Sequence, residues 1–282
     1  MGDTQTLHAT RVRDVHADLN YLAPTIERPR TYTYPAPDGQ PQSTVRSTPH
    51  RVLIRDMRVL KEAPQVDREG FALLHTPTAV RDFYDDAEIR AVYYPEVERV
   101  LAAATGAARV VIFDHTVRRR TPGQNEDRQP GAPRQPVPRV HVDHTVKSGP
   151  QRVRNLLPDE AEELLRGRVQ VINLWRPIVG PLRDAPLAVA DARTVRDDDL
   201  VASDLIYPDR VGETYQVRYN PAHAWFYAPD MERDEALLLK CYDSRTDRAR
   251  FAPHTAFTDP SADGTERPRE SIEIRSFVFH PA

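Results

Sequence analysis

The chain has 282 residues, and its 39 basic and 42 acidic side chains leave a formal net charge of −3. No stretch of about 18 apolar residues is present, which excludes a helical membrane span, and the basic residues are spread too evenly to form a nucleic-acid surface. The single cysteine, Cys241, excludes intramolecular disulfides and cysteine-rich zinc sites. Because the N-terminus also lacks the apolar segment of a secretory signal, we expect a soluble, cytoplasmic protein that forms one domain over 1–282.

The N-terminal third, 1–105, is predicted to consist of an extended arm followed by helices. Residues 1–50 are polar and dotted with proline, which favours an arm with at most one strand. A short strand is predicted at 51–56. Between 77 and 104 the apolar side chains recur every three or four residues, which predicts one or two amphipathic helices interrupted near Pro95.

The remaining part, 106–282, is predicted to be rich in β-structure. The β-branched segment 109–117 indicates a buried strand, and 118–138, with five prolines and no apolar period, predicts a long loop that is either a lid or disordered. A short helix is predicted at 157–166, where acidic residues open the segment. Further short strands, typical of a sandwich or barrel, are predicted at 140–146, 169–175, 187–192, 215–227, 236–242, 250–257 and 271–279. The fold class is therefore α+β, a β-barrel core with supporting helices.

Two residues on the strand at 140–146 are candidates for metal binding. His141 and Asp143 stand at positions i and i+2, so their side chains point to the same face of the strand. An imidazole and a carboxylate are two of the three donors that suit a metal with mixed nitrogen and oxygen ligands. The spacing alone is weak evidence, because it arises often by chance.

The C-terminal strand carries a candidate anion site. Arg269, Ser271 and Arg275 alternate onto one face, and a guanidinium with a hydroxyl two residues on can hold a carboxylate. His254 precedes this strand by fifteen residues. Taken one at a time, these residues are more simply explained as a core histidine and as surface ion pairs.

Taken together and in this order, the residues resemble the iron(II)/2-oxoglutarate-dependent dioxygenases. More narrowly, the chain resembles the subgroup that contains a cephamycin-pathway hydroxylation/methoxylation protein, a fungal gibberellin desaturase and fungal natural-product oxygenases. The resemblance covers about 105–280. It is carried by FDHTVR (113–118), VHVDHT (140–145), INLWRPI (172–178), PLAVADART (186–194), RYNPAHAWFYAPDM (218–231), LLLKCYDS (237–244), PHTAFTDP (253–260) and RESIEIRSFVF (269–279).

The resemblance implies a double-stranded β-helix (jelly-roll) core in which His141, Asp143 and His254 bind iron(II). His223 is the alternative third ligand, but the family places the distal histidine on the strand just before the Arg-x-Ser strand, which favours His254. The resemblance also implies that Arg269 and Ser271 bind 2-oxoglutarate, with Arg275 as a further candidate.

The reaction implied by the resemblance is the oxidation of an unactivated C–H bond by dioxygen, with 2-oxoglutarate as cosubstrate. The substrate is a small molecule, in natural-product biosynthesis, and the outcome is hydroxylation, desaturation or oxidative cyclisation. Two rival functions are a jelly-roll binding protein without turnover, and a metal-dependent hydrolase or isomerase. All the expected metal-binding and carboxylate-binding residues are present, which argues against a binding protein without turnover. The Arg-x-Ser pair argues against a hydrolase or isomerase.

Further residues are candidates for the substrate pocket, although each also has an ordinary role in a protein core. Cys241, by contrast, is predicted to be a buried small hydrophobe. The pocket candidates are His115, Arg118, Trp175, His223, Trp225 and Tyr227.

Overall fold

The structure is a computed structural model that describes residues 12–123 and 134–281. In these ranges the chain forms fourteen strands and a few short helices. The strands are β1 (Val15–Leu22), β2 (Arg30–Tyr32), β3 (Ser47–Asp56), β4 (Phe71–His75), β5 (Arg109–Arg119), β6 (His141–Val142), β7 (Val169–Pro177), β8 (Leu187–Ala190), β9 (Leu200–Ile206), β10 (Val211–Val217), β11 (Trp225–Tyr227), β12 (Glu235–Asp243), β13 (His254–Ala256) and β14 (Glu270–Phe279). The helices are α1 (Asp86–Glu88), α2 (Tyr94–Thr105), α3 (Ser148–Leu156) and α4 (Ala161–Leu164), with a π-helical segment, Ile89–Tyr93, between the first two.

The strands form two sheets that face each other. One has nine strands in the order β1-β3-β11-β8-β13-β6-β10-β9-β2, and the other has five in the order β4-β12-β7-β14-β5. Neighbouring strands come from distant parts of the chain, as in the parallel pair of β3 with β11. The predicted combination of a β-barrel core with helical support is confirmed.

Alternating side chains divide the five-stranded sheet into two apolar faces. On the inner face, Trp175 and Leu239 pack against Val189 of the nine-stranded sheet. On the outer face, Leu174 and Ile274 pack under the helices. Because each fully buried aliphatic or aromatic side chain contributes about 1.5–3 kcal/mol, the two clusters fix which residues of a strand face inward.

The nine-stranded sheet also curls around a cluster of its own. The backbone N–H of Val140 donates to the carbonyl of Asn20 at 2.9 Å, which brings β1 against the opposite end of the sheet. Leu19, Tyr21 and Trp225 are buried inside this curl. The face of the sheet that is turned away from the five-stranded sheet is therefore filled by its own side chains.

The N-terminal third contributes more to the barrel than an arm would. Strands β1 and β3 belong to the nine-stranded sheet, and β4 pairs with β12 at the edge of the five-stranded sheet. The predicted helical segment begins only at α1, so 77–85 is not helical. The π-helical segment lies just before Pro95, which has no N–H to donate to the preceding turn, so the regular α-helical pattern is interrupted near Pro95 as predicted.

Several boundaries in the core also differ from the prediction. The segment 140–146 contains only the two residues of β6, 157–166 contains only the short helix α4, and α3 and β9 were not predicted. The segment 215–227 is two strands, β10 and β11, because Pro221 lies in the turn between them and has no N–H to pair.

The predicted loop 118–138 starts later than expected, since β5 runs to Arg119 and Arg118 bridges to Arg134. Residues 124–133 of that loop lie outside the described residues. Within the described ranges, none of the helices has both the length and the apolar character that a membrane crossing requires.

Candidate active site

Three potential metal ligands meet on the inner face of the nine-stranded sheet. His254 of β13 is the direct strand partner of His141 of β6, and their ring centroids are 4.5 Å apart. Asp143 follows β6, and its Oδ1 lies 3.5 Å from His141 Nε2. One ligand atom from each residue lies within 4.8 Å of the other two.

Hydrogen bonds to backbone carbonyls fix the tautomers of both histidines. His141 Nδ1 lies 2.8 Å from the carbonyl of Arg139, and His254 Nδ1 lies 3.0 Å from the carbonyl of Ala252. Because a carbonyl can only accept, each Nδ1 carries the proton and donates, which leaves each Nε2 with a free lone pair. This arrangement is typical of histidines that bind a metal.

The carboxylate of Asp143 is held by two donors on the opposite sheet. Its Oδ2 accepts hydrogen bonds from Asn173 Nδ2 at 2.8 Å and from Arg275 Nε at 3.1 Å, so Oδ1 is left to face the histidines. Burial by itself raises the pKa of Asp143, but the guanidinium of Arg275 is the largest opposing effect, and the pKa lies well below its usual range. The side chain is therefore an ionised, oriented ligand at neutral pH.

Arg275 is engaged by protein groups rather than free for a cosubstrate. Besides Asp143, its guanidinium donates to Asp114 Oδ1 at 3.0 Å, to Thr116 Oγ1 at 3.0 Å and to the carboxylate of Glu273. These contacts use four of the five N–H donors of the side chain. The geometry thus suits a residue that orients Asp143 better than one that binds 2-oxoglutarate.

Arg269 and Ser271 form the expected pair at the start of β14. The Arg269 Nε donates to Ser271 Oγ at 3.1 Å, and its Nη1 donates to the carbonyl of Ala185 at 2.9 Å. The guanidinium lies 4.9 Å from the ring centroid of Trp175, and among the described residues no carboxylate lies within 4.0 Å of it. Burial, followed by the charge of Arg118, lowers the pKa of Arg269 to about 9. A buried guanidinium with no carboxylate beside it favours the binding of an anion.

Two of the six pocket candidates lie on the same inner face. Arg118 of β5 is the strand partner of Ser271, and Trp175 of β7 is the strand partner of Glu273. The indole Nε1 of Trp175 is buried and has no hydrogen-bond partner among the described residues.

The structure does not bring His115 to the site. It is the strand partner of Ile274, which packs in the outer cluster, so it faces the helices. Its Nδ1 lies 2.9 Å from the hydroxyl of Tyr94, and Asp86 lies 3.3 Å from its Nε2. Alternation along β5 explains this placement, because Asp114 and Arg118 occupy the opposite face.

The other three candidates lie inside the curl of the nine-stranded sheet, also away from the triad. His223 sits between the Tyr21 hydroxyl and Asp199 Oδ2, each at 3.2 Å. Trp225 is the strand partner of Ala190, not of Val189, and therefore faces away from His254. Tyr227 shares that face and donates from its hydroxyl to the carbonyl of Arg13 at 2.6 Å.

Sequence reasoning assigned no role to Asp114 and Thr116, which contact Arg275 in the structure. The sequence nevertheless contains a pattern that places Asp114 and Thr116 in the site. Both alternate with His115 along β5 and share a face with Arg118, so they follow Arg118 onto the inner face.

Comparisons with known proteins agree with this geometry. Residues 19–279 match the family described as an oxidoreductase/YMDC permease-like domain. The hydroxylase/desaturase efuI of Hormonema carpetanum is 35% identical over 248 residues, which cover 81% of this chain and 83% of that protein. The alpha-ketoglutarate-dependent dioxygenase phiK of a fungal species (strain ATCC 74256) is 33% identical over 273 residues, covering 94% and 95%. A solved structure of the iron and alpha-ketoglutarate-dependent endoperoxidase NvfI superposes with a TM-score of 0.85 at 28% identity and covers 95% of this chain and 99% of its own.

A jelly-roll barrel with two histidines, one carboxylate and a buried arginine–serine pair defines an oxygenase that uses non-haem iron. The chain belongs to the family of Fe(II)/2-oxoglutarate-dependent dioxygenases and hydroxylase/desaturases that these relatives represent. The predicted family, jelly-roll fold class, enzyme class and dependence on iron(II), 2-oxoglutarate and dioxygen are confirmed. The same findings favour the oxygenase over both rival functions.

Proposed function

We propose that this enzyme oxidises an unactivated C–H bond of a small organic molecule in natural-product biosynthesis, by hydroxylation, desaturation or oxidative cyclisation. The observation that carries the proposal is the buried guanidinium of Arg269, which forms no ion pair among the described residues and lies in the same barrel as a His-Asp-His cluster. A metal-dependent hydrolase or isomerase uses no 2-oxoglutarate and needs no cation for its distal carboxylate. The printed names of the relatives, which include hydroxylase/desaturase, support the reaction type.

The residues present fit iron(II). Two imidazole nitrogens with fixed tautomers and one oriented carboxylate oxygen match the donor set of iron oxygenases that keep open coordination positions. We assign His141, Asp143 and His254 as the ligands. Bound iron(II) would supply the activation of dioxygen, while 2-oxoglutarate supplies electrons as it is converted to succinate and carbon dioxide.

The chain's own residues bind, orient and shield the reactants. Arg269 binds the distal carboxylate of 2-oxoglutarate, and Ser271, whose oxygen already accepts from Arg269, donates its O–H to the same group. Asn173 and Arg275 keep Asp143 ionised and oriented. The apolar cluster between the sheets reaches the site through Val189, the strand partner of His254, and excludes water there.

Iron binding tests the metal assignment. Under anaerobic conditions, protein loaded with iron(II) is expected to develop a weak visible absorption band when 2-oxoglutarate is added, and His141→Ala is expected to abolish it. Oxygen uptake is expected to depend on 2-oxoglutarate. Protein that binds no iron(II), with or without 2-oxoglutarate, would contradict the proposal.

The anion site is tested through Arg269→Ala. Truncating one partner of a buried charge pair costs about 2–5 kcal/mol, so the concentration of 2-oxoglutarate required should rise by roughly two orders of magnitude. Iron(II) affinity without cosubstrate should be unchanged, because the guanidinium is not a ligand. Arg267→Ala is the matched control, since the side chain of Arg267 is exposed and pairs with Glu270. An unchanged requirement in Arg269→Ala would remove this residue from the cosubstrate site.

A further inference from the structure

Arg269 is not the only cation without a counter-ion on the inner face. Arg118, at the end of β5, has a half-buried guanidinium whose Nη1 donates to the carbonyl of Gln135 at 2.9 Å. In the described part of the chain no carboxylate lies within 4.0 Å of it. Arg275, by contrast, is surrounded by carboxylates.

The strand register places Arg118 beside the pair formed by Arg269 and Ser271. It lies directly opposite Ser271, so its side chain shares a face with both Ser271 and Arg269. Arg118 raises the local positive potential at Arg269 and is itself influenced by Glu273 and Asp143. The bond to Gln135 uses one donor and leaves the rest of the guanidinium for another partner.

Two donors on the same face of the five-stranded sheet have no acceptor among the described residues. The Nε1 of Trp175 is buried and unpartnered, and Ser271 has an O–H left to donate. Two neighbouring guanidiniums repel each other, and burying them away from water costs further free energy. An acceptor with negative charge would relieve both costs at once.

We infer that Arg118 binds a carboxylate inside the active site, next to the position held by Arg269. The inference rests on the proposed function and extends it, because it adds a second anion-binding residue to the site. The carboxylate comes either from 2-oxoglutarate itself, which has two, or from an acidic substrate. Both sources offer the same planar acceptor to the guanidinium.

Calorimetric titrations of manganese(II)-loaded, anaerobic protein distinguish the two sources. The variants are Arg118→Gln and Arg118→Lys, and the matched control is Arg119→Gln, which removes the next arginine of β5 from the exposed face. The first titrant is 2-oxoglutarate, with 2-oxopentanoate as the analogue that lacks the distal carboxylate. The second titration adds hexanoate to protein saturated with 2-oxoglutarate, with hexanamide as the uncharged match.

If 2-oxoglutarate supplies the carboxylate, Arg118→Gln weakens its binding by about 30-fold or more, and Arg118→Lys restores part of the loss. A parallel loss for 2-oxopentanoate assigns Arg118 to the carboxylate beside the keto group, and a loss for 2-oxoglutarate alone assigns it to the distal one. If the substrate supplies the carboxylate, 2-oxoglutarate binds normally, and the wild-type preference for hexanoate over hexanamide disappears in Arg118→Gln.

Equal affinities of wild type and Arg118→Gln for 2-oxoglutarate, without a preference for hexanoate, overturn the inference and leave the proposed function intact. Wild-type protein that does not bind 2-oxoglutarate overturns the proposed function itself. Thermal unfolding without ligands separates binding from folding. Arg118→Gln is expected to melt at or above the wild-type temperature, because it removes a cation that has no carboxylate beside it. A lower melting temperature, together with unchanged 2-oxoglutarate binding and an unchanged preference for hexanoate, marks a purely structural residue.

Discussion

Histidine burial does not distinguish the proposed metal ligands from other histidines, but the contacts of the ring nitrogens do. His254 and His223 are both buried. Among the described residues, only Nδ1 of His254 has a hydrogen-bond partner, whereas both ring nitrogens of His223 are used, by Tyr21 and Asp199. A nitrogen that already holds a protein partner cannot bind a metal without breaking that contact.

His254→Ala and His223→Ala should therefore differ in metal affinity. Loss of His254 is expected to weaken iron(II) binding by more than about 100-fold, since even outer partners of metal ligands cost about 10–100-fold. His223→Ala should bind iron(II) normally and unfold at a lower temperature, because Tyr21 and Asp199 lose a buried partner. Anaerobic iron titration of both variants decides the matter, and the reverse result would require a different ligand set.

Replacing Asn173 tests how much the five-stranded sheet contributes to metal affinity by orienting Asp143. Asn173→Ala removes one of the two donors to Asp143 Oδ2 while Arg275 keeps the carboxylate ionised. We expect iron(II) affinity to fall about 10- to 100-fold. Asn155→Ala, on an exposed turn of α3, is the control. Unchanged affinity in Asn173→Ala would mean that Arg275 alone orients Asp143.

At the scale of elements, strands that consist of a run of apolar, buried residues were predicted well from the sequence. Strands whose limits depend on pairing with distant segments were predicted poorly. The strands β5, β7, β12 and β14 were predicted within a few residues. The two-residue strand β6 was overestimated, because its length is set by its partners β10 and β13 and not by its own residues. Likewise the i, i+2 pattern showed that Trp225 and Tyr227 share a face, but only the curl of the sheet decides which face it is.

Helix α3, which follows Asp143 closely, was missed because its helix formers are few and it contains a glycine. That glycine is explained by packing. A Cβ at Gly149 would lie 2.7 Å from Cγ of Tyr242 in β12, so only glycine allows the helix to lie this close to the sheet.

Gly149→Ala should destabilise the protein although alanine is the better helix former. The steric conflict with Tyr242 costs about 1–3 kcal/mol, against a gain of about 1 kcal/mol in helix propensity. We expect a lower free energy of unfolding in urea. Gln151→Ala, exposed on the same helix, should change it by less than about 0.5 kcal/mol. A stabilised Gly149→Ala would show that α3 can move away from the sheet.

At the scale of the whole molecule, the metal and anion sites draw on both sheets. His141, Asp143 and His254 come from the nine-stranded sheet or its loops, while Arg269, Ser271 and Arg275 come from the five-stranded sheet or its start. The contacts of Asp143 with Asn173 and Arg275 join the two halves. The identities of the site residues could be read from motifs. The engagement of Arg275 by carboxylates could not, because Asp114 and Asp143 lie 161 and 132 residues away from it in the sequence.

The fold also holds several histidines in their neutral form. Burial, as the largest effect, lowers the pKa of His223 and His280, and it lowers the pKa of His144 to about 4. Unfolded histidine titrates near 6.5, so between pH 6.5 and 4 the unfolded chain binds more protons than the folded one. The stability that these neutral histidines contribute is therefore fully present above pH 6.5 and is lost as the pH is lowered.

Metal-free protein should consequently be less stable at pH 5 than at pH 7, and His144 alone should account for about 2 kcal/mol of the difference. The measurement is the midpoint of urea unfolding at both pH values and constant ionic strength. In His144→Gln the difference between the two midpoints should shrink, because a glutamine cannot take up the proton. Equal or higher stability of the wild-type protein at pH 5 would mean that His144 is not held neutral beside Phe113 and Ser148, where the structure places it.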